Sequence, residues 1–151
     1  MEVTVSDALS AHVPEIEAIE KACFSVPWTA ESIRSQLKDG QHEFLGAFDE
    51  NGKLLGYVGM MAVLDEGYIA NVAVDPAYRR QGIADRLIER LCEIAAERKL
   101  SFLTLEVRAS NAPAIALYQK HGFAPVGLRK GYYAQPREDA LLMTRFFGNE
   151  A

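Results

Sequence analysis

The run Arg79-Arg80-Gln81-Gly82-Ile83-Ala84 is the first place where residue types and spacing point to chemistry. Gly82 and Ala84 are small residues at the entrance to a helical pattern. The first turn of any helix carries N–H groups without partners and a partial positive charge. Small side chains there let backbone donors approach an anion closely, and Arg79 and Arg80 add charge. The chemistry this suits is pyrophosphate binding. The run is not a P-loop, because GxxxxGK[ST] is missing, and not a Rossmann fingerprint, because GxGxxG is missing. Alone, it also reads as a polar turn with two solvated arginines. A second position asks for a reason: Glu106 puts a carboxylate in mid-strand between Leu105 and Val107. Charge there marks a solvated strand face or a chemical role.

The elements that must position these residues follow from periodicity. Pro14 to Phe24 spaces Ile16, Ala18, Ile19, Ala22 and Cys23 as a helix does, with Glu15, Glu17, Glu20 and Lys21 between them. Pro27 breaks it. Thr29 caps a second helix through Lys38, with Glu31 in its first turn. A strand is expected at Glu43–Phe48, a turn at Asn51-Gly52, and further strands at Leu54–Val63 and Gly67–Val74. Asp75-Pro76 opens the turn that leads to an amphipathic helix over Gly82–Arg98. A strand at Ser101–Val107 follows, then a helix capped by Asn111 that runs to about Lys120 and ends at Gly122. Two last strands, Phe123–Arg129 and Glu138–Phe146, flank the loop Gly131-Tyr132-Tyr133-Ala134-Gln135-Pro136. No repeat or long linker divides the chain, so one domain over residues 1–151 is expected. The order of elements gives an α/β fold with a mixed sheet.

The pattern around the loop is longer than the loop. An R/Q-x-x-G-x-G/A run after a V-x-V strand, here Arg79 to Ala84 after Val72-Ala73-Val74, resembles the GCN5-related N-acetyltransferase (GNAT) family. Leu103 to Phe123 resembles that family's strand-then-helix segment ending in Y-x-x-x-G-F. Within the family the sequence is most similar to the RimI-type ribosomal-protein-alanine N-acetyltransferases. The matching features are Phe24-Ser25-Val26-Pro27-Trp28, Leu105 to Asn111, and Tyr132-Tyr133 followed by Arg137-Glu138-Asp139-Ala140. The likeness covers nearly the whole chain.

The resemblance implies a central, mostly antiparallel sheet, about four helices and two parallel strands that splay apart to admit acetyl-CoA. By that likeness Val72, Ala73 and Val74 would present backbone to the pantetheine, as an added strand would be met. Arg79, Arg80, Gln81, Gly82, Ile83, Ala84 and Asp85 would surround the pyrophosphate, and Asn111 would reach the pantetheine arm. Asp85 departs from the pattern, since a carboxylate beside a pyrophosphate is unfavourable unless it points to solvent. The resemblance assigns Glu106 as general base and Tyr118 as general acid, although helix tyrosines usually pack. It also places Trp28, Tyr132 and Tyr133 at the acceptor end. The implied acceptor is the N-terminal Ala peptide of a basic ribosomal protein.

Bulk properties agree with an ordinary globular enzyme. The chain has 151 residues, 49% hydrophobic and 25% charged, which excludes a disordered chain. A formal net charge of -5 argues against a nucleic-acid binder and suits a basic partner. Cys23 and Cys92 form no CxxC pair, and His12, His42 and His121 have no metal-ligand spacing, so no metal is expected. Neither a signal peptide nor a membrane span is apparent, and a cytoplasmic location is expected. Other acceptors (a Lys side chain, a polyamine, a small-molecule amine) and a non-catalytic acyl-CoA sensor remain open at this point. So does the choice between monomer and weak dimer.

Overall fold

Helices pack on both faces of one sheet. The computed structural model describes residues 2–148. In chain order the elements are β1 (Thr4–Asp7), α1 (Val13–Cys23), α2 (Ala30–Lys38), β2 (His42–Phe48), β3 (Leu54–Val63) and β4 (Glu66–Val74). Then come α3 (Ile83–Glu97), β5 (Phe102–Arg108), α4 (Ala112–Lys120), β6 (Ala124–Ala134) and β7 (Arg137–Phe146). The seven-stranded sheet has the order β1-β2-β3-β4-β5-β7-β6. Every neighbouring pair is antiparallel except β4 with β5.

One face of the sheet is covered by α3 and α4. The apolar stripe of α3 (Ile83, Leu87, Ile88, Leu91, Cys92, Ile94, Ala95) is buried against Leu103, Leu105 and Val107 of β5 and against Tyr118 of α4. Each fully buried aliphatic side chain there contributes about 1.5–3 kcal/mol. The other face packs Val13, Ile16 and Ile19 of α1 and Ile33 of α2 on Phe44, Phe48 and Tyr57. Two caps stand where the sequence puts them. The Thr29 hydroxyl accepts from the Ser32 N–H at 3.1 Å, and the Asn111 carboxamide oxygen accepts from the Ala114 N–H at 3.2 Å. Gly122 ends α4 with φ +88°, the left-handed position expected of it.

The parallel pair is short. Only Glu66↔Phe102, Gly67↔Leu103 and Tyr68↔Thr104 are paired, and beyond them β4 and β5 part. The cause is local: β3 aligns Gly59 with Asn71 but Met60 with Ile69, which leaves Ala70 as an extra residue. A bulge of this kind bends its strand and increases the twist. Gly67 lets the two strands meet at the base, because a Cβ there would lie 2.6 Å from Leu103 Cδ2 and 3.0 Å from Leu100 Cδ1.

One expectation needs correction, and two further features are not read from the sequence. β1 is an added edge strand, too short for its alternation to stand out in the sequence. β6 runs on to Ala134, so Tyr132 and Tyr133 lie in a strand, not a loop. A register shift between Arg129 and Tyr133 absorbs the residues that read as turn formers. The glutamates of α1 are not a solvated face. Glu15 accepts from the Leu54 N–H at 3.0 Å, Glu17 from the Ala30 N–H at 2.8 Å, and Glu20 is fully buried.

Gly67→Ala should force β4 off β5 at its last pairs. We expect a loss of about 1–3 kcal/mol in urea unfolding, the range for overpacking a close contact.

Candidate active site

The longest helix, α3, begins without a side-chain cap. Its N-cap is Gly82, with φ +75° and no side chain to offer, whereas α2 and α4 are capped by Thr29 and Asn111. A Cβ at Gly82 would meet nothing within 4 Å, so the approach to the first turn is open. Arg80 also takes a left-handed φ, +64°, which is uncommon for a side chain of its size. Arg79, Arg80, Gln81 and Gly82 are all exposed. Unpaired N–H groups, the positive end of a helix and two arginines thus meet at one open turn. This arrangement fits a pyrophosphate.

Asp85 is only partly turned to solvent. Its carboxylate lies 2.9 Å from His121 Nε2 and 3.0 Å from Lys120 Nζ at the end of α4. Partial burial pushes its pKa up, but the two basic partners outweigh this and hold it below the ordinary carboxylate range. The charge that is awkward beside an anion is therefore balanced by two partners that nothing in local sequence spacing connects to it.

The turn continues into the opening between β4 and β5. Val72, Ala73 and Val74 pair with Val58, Tyr57 and Gly56 of β3 on one edge. Their other edge faces the gap left by the parted β5. The Val74 carbonyl is close to the Cys23 thiol, which donates to it at 3.4 Å, and Arg79 Nη2 donates to the same sulfur at 3.4 Å. Asn111 is exposed at the start of α4, with its carboxamide oxygen committed to the helix cap.

Glu106 projects from the face of β5 opposite Leu105 and Val107 and is half-buried. Its Oε2 lies 3.0 Å from Arg129 Nε of β6. Arg129 went unread in the sequence because only sheet pairing brings it there. Tyr118 is buried on α4, edge-on to Phe123 at 5.8 Å. Burial raises its pKa, with the Tyr133 phenol adding to the effect, so it is firmly protonated at neutral pH. Tyr133 is pushed up to about 12 by burial first, then by Tyr132, with Arg108 opposing and Glu106 and Glu138 adding. Tyr133 thus stands within electrostatic reach of both Glu106 and Tyr118.

The β6–β7 turn is fastened from below by Arg108, another residue the sequence did not single out. Its guanidinium donates to Pro136 O at 2.9 Å and Gln135 O at 3.0 Å, pairs with Glu138 at 3.3 Å and covers the Tyr133 ring at 4.3 Å. The Ser25 hydroxyl donates to the same Gln135 carbonyl at 2.7 Å, which joins the α1–α2 loop to the β6–β7 turn. Tyr132 is exposed beside Tyr133, edge-on at 5.0 Å. Trp28 does not stand free in the opening: its ring packs on Phe44 at 6.2 Å. Its backbone N–H donates to the buried Glu20 carboxylate at 2.7 Å.

Known proteins share both the fold and the sequence. The Acetyltransferase (GNAT) family profile matches residues 13–123. A putative ribosomal protein bS18-alanine N-acetyltransferase of Bacillus subtilis is 40% identical over 132 residues, 87% of this chain and 85% of that protein. The ribosomal protein bS18-alanine N-acetyltransferase of Escherichia coli is 37% identical over 142 residues, 93% of this chain and 95% of that protein. The crystal structure of the ribosomal-protein-S18-alanine N-acetyltransferase from Escherichia coli superimposes with a TM-score of 0.89 at 35% identity. It covers 99% of this chain and 97% of the other.

The Asp85 pairing predicts a pH-dependent contribution to stability. A folded-state pKa below the unfolded value gives stabilisation that is present above the unfolded pKa and lost as pH falls through the folded one. Asp85→Asn should cost about 1 kcal/mol or less at pH 7, since the pair is partly exposed. The gap to wild type should close as urea unfolding is repeated below about pH 3.9.

Proposed function

The chain belongs to the Acetyltransferase (GNAT) family, and from that premise we propose that it acetylates the α-amine of an N-terminal alanine on a ribosomal protein of the bS18 kind. Acetyl-CoA is the donor. The observation that carries this reading is the parting of β4 from β5 after three paired residues, with the uncapped start of α3 following β4. The relatives supply the acceptor class, at 37–40% identity over most of both chains.

The backbone of Val72 to Val74 receives the pantetheine amides, and the N–H groups from Arg80 to Ala84 receive the pyrophosphate. Asn111 lies beside the arm through its free amide. The acceptor enters between the α1–α2 loop and the β6–β7 turn, past Trp28, Tyr132 and Tyr133.

An α-amine has a pKa of about 7.7–8.0, so at neutral pH most of it must shed a proton before attack. Glu106 is the base that takes that proton, held in place by Arg129. The amine nitrogen bonds to the thioester carbon while the carbon–sulfur bond breaks, and Tyr118 gives its proton to the leaving sulfur. Tyr118 holds its proton at neutral pH, and burial, by raising its pKa, makes it a weaker donor than a free phenol, so it acts on a sulfur that is already taking up charge. The net negative chain attracts a basic ribosomal tail. Action on ribosomal proteins would place the work in the cytoplasm; among the described residues no helix is long and apolar enough to cross a membrane.

Glu106→Gln should lower kcat by about 10²-fold or more, the scale of general base catalysis, with acetyl-CoA affinity nearly unchanged. Tyr118→Phe should slow the chemical step with the fold intact. Full activity in either variant removes that residue from its role. The acceptor is tested with two peptides, one bearing a free N-terminal Ala and one with a blocked N-terminus and internal Lys. Mass spectrometry should find acetyl only on the Ala nitrogen. Acetylation only on Lys, whose amine must be freed against a pKa of about 10.4, would replace the acceptor class.

A further inference from the structure

Glu20 stands where a carboxylate is poorly placed. It lies in the last turn of α1, at the negative end of the helix, and is fully buried. The helix dipole opposes a negative charge at that end. Removing a carboxylate from water is costly unless its oxygens are well partnered. Its partners here are three neutral donors: the Trp28 N–H at 2.7 Å, Asn71 Nδ2 at 2.8 Å and the Tyr57 hydroxyl. Burial raises its pKa, and the Trp28 and Asn71 contacts hold that rise back. A leucine would fill this position in a helix whose other buried residues are Val13, Ile16 and Ile19.

The three donors come from segments with different duties. Trp28 belongs to the loop that flanks the acceptor entrance and that Ser25 fastens to Gln135. Asn71 follows the bulge residue Ala70, on the stretch of β4 that has left β5. Tyr57 stacks on Phe44 at 6.1 Å, and Phe44 meets Trp28 edge-on at 6.2 Å, so the contacts close a ring. Glu20 therefore touches the acceptor loop and the cofactor strand at once.

We propose that Glu20 is a positioning residue that couples the acceptor loop to the acyl-CoA gap, so that occupation of the gap is felt at Trp28 and sets the loop for the amine. This rests on the acetyl-transfer reading above. The substitution Glu20→Gln keeps the volume but turns an amide nitrogen toward donors, and it breaks one side of the link. A merely structural carboxylate would change melting temperature alone; a coupling one changes communication between the two sites.

Trp28 is the only tryptophan in the chain, so its emission reports the loop directly. Acetyl-CoA should change that emission in wild type. In Glu20→Gln, calorimetry should find acetyl-CoA affinity within about threefold of wild type, while the Trp28 response falls by about half or more. For the alanine peptide, kcat/KM should fall about tenfold, mainly through KM, the cost of one buried contact left unpaired. Asn71→Ala cuts the strand side of the link and should give the same pattern; the double variant should lose little more than Glu20→Gln alone, as coupled residues do. If Glu20→Gln does not fold, Asn71→Ala carries the test alone. No Trp28 response in wild type, or an unchanged response and unchanged peptide kcat/KM in the variants, overturns the proposal. A wild type that leaves the alanine peptide unacetylated removes the acceptor reading and leaves the emission measurement to decide the role of Glu20.

Discussion

Everything at this site depends on two parallel strands that stop pairing. Backbone N–H and C=O groups away from water need partners, and a strand edge inside a sheet normally has them. Past Tyr68 and Thr104, β4 and β5 give each other none. Gly67 draws the strands together at the base, and the extra residue at Ala70 turns β4 away directly above it. The result is a built-in edge that an extended chain of amides can pair with. The buried stripe of α3 fixes that helix beneath the same strands, so its open N-terminus follows β4 after one short turn. The free strand edge and the open helix start are thus consequences of one backbone arrangement.

The carboxylates around this opening differ in task because they differ in surroundings. Asp85 is matched to Lys120 and His121, and Glu138 to Arg108 and the Ser110 N–H. Glu106 has one guanidinium beside it and keeps a half-buried position, which is what the proposed base role needs. Glu20 has only neutral donors. A carboxylate with an opposite charge beside it is inexpensive to keep ionised; one with neutral donors is not, and it persists where its hydrogen bonds fix geometry.

What the sequence shows and what it hides follow from the range of the interactions. The α3 stripe, the caps at Thr29 and Asn111 and the left-handed Gly122 are local, and periodicity or residue type is enough to read them. The extent of β6 is not local, because register shifts against β7 keep Gly131 and both tyrosines in the strand. Glu20 hides for a related reason. A glutamate among Glu15, Glu17 and Lys21 looks like solvent face, and only the partners from β3, β4 and the next loop turn it inward. Arg129 and Arg108 reach the site through sheet pairing, which no spacing along the chain encodes.

The geometry also favours direct transfer over a covalent acyl-enzyme. An acyl-enzyme needs a nucleophile that can form a thiolate or its equivalent beside the thioester. Cys92 is buried in the core under α3, and burial, its largest influence, pushes its thiol up, away from the thiolate. The Cys23 thiol donates to the Val74 carbonyl and receives Arg79, and no His, Asp or Glu side chain takes part in these contacts to serve as its base. Glu106 and Tyr118, by contrast, come from different elements and both interact electrostatically with Tyr133, one half-buried, the other buried and protonated. With Glu106 as the proposed base and Tyr118 as the proposed acid, the acceptor amine attacks for itself, and that mechanism requires both substrates to be present together.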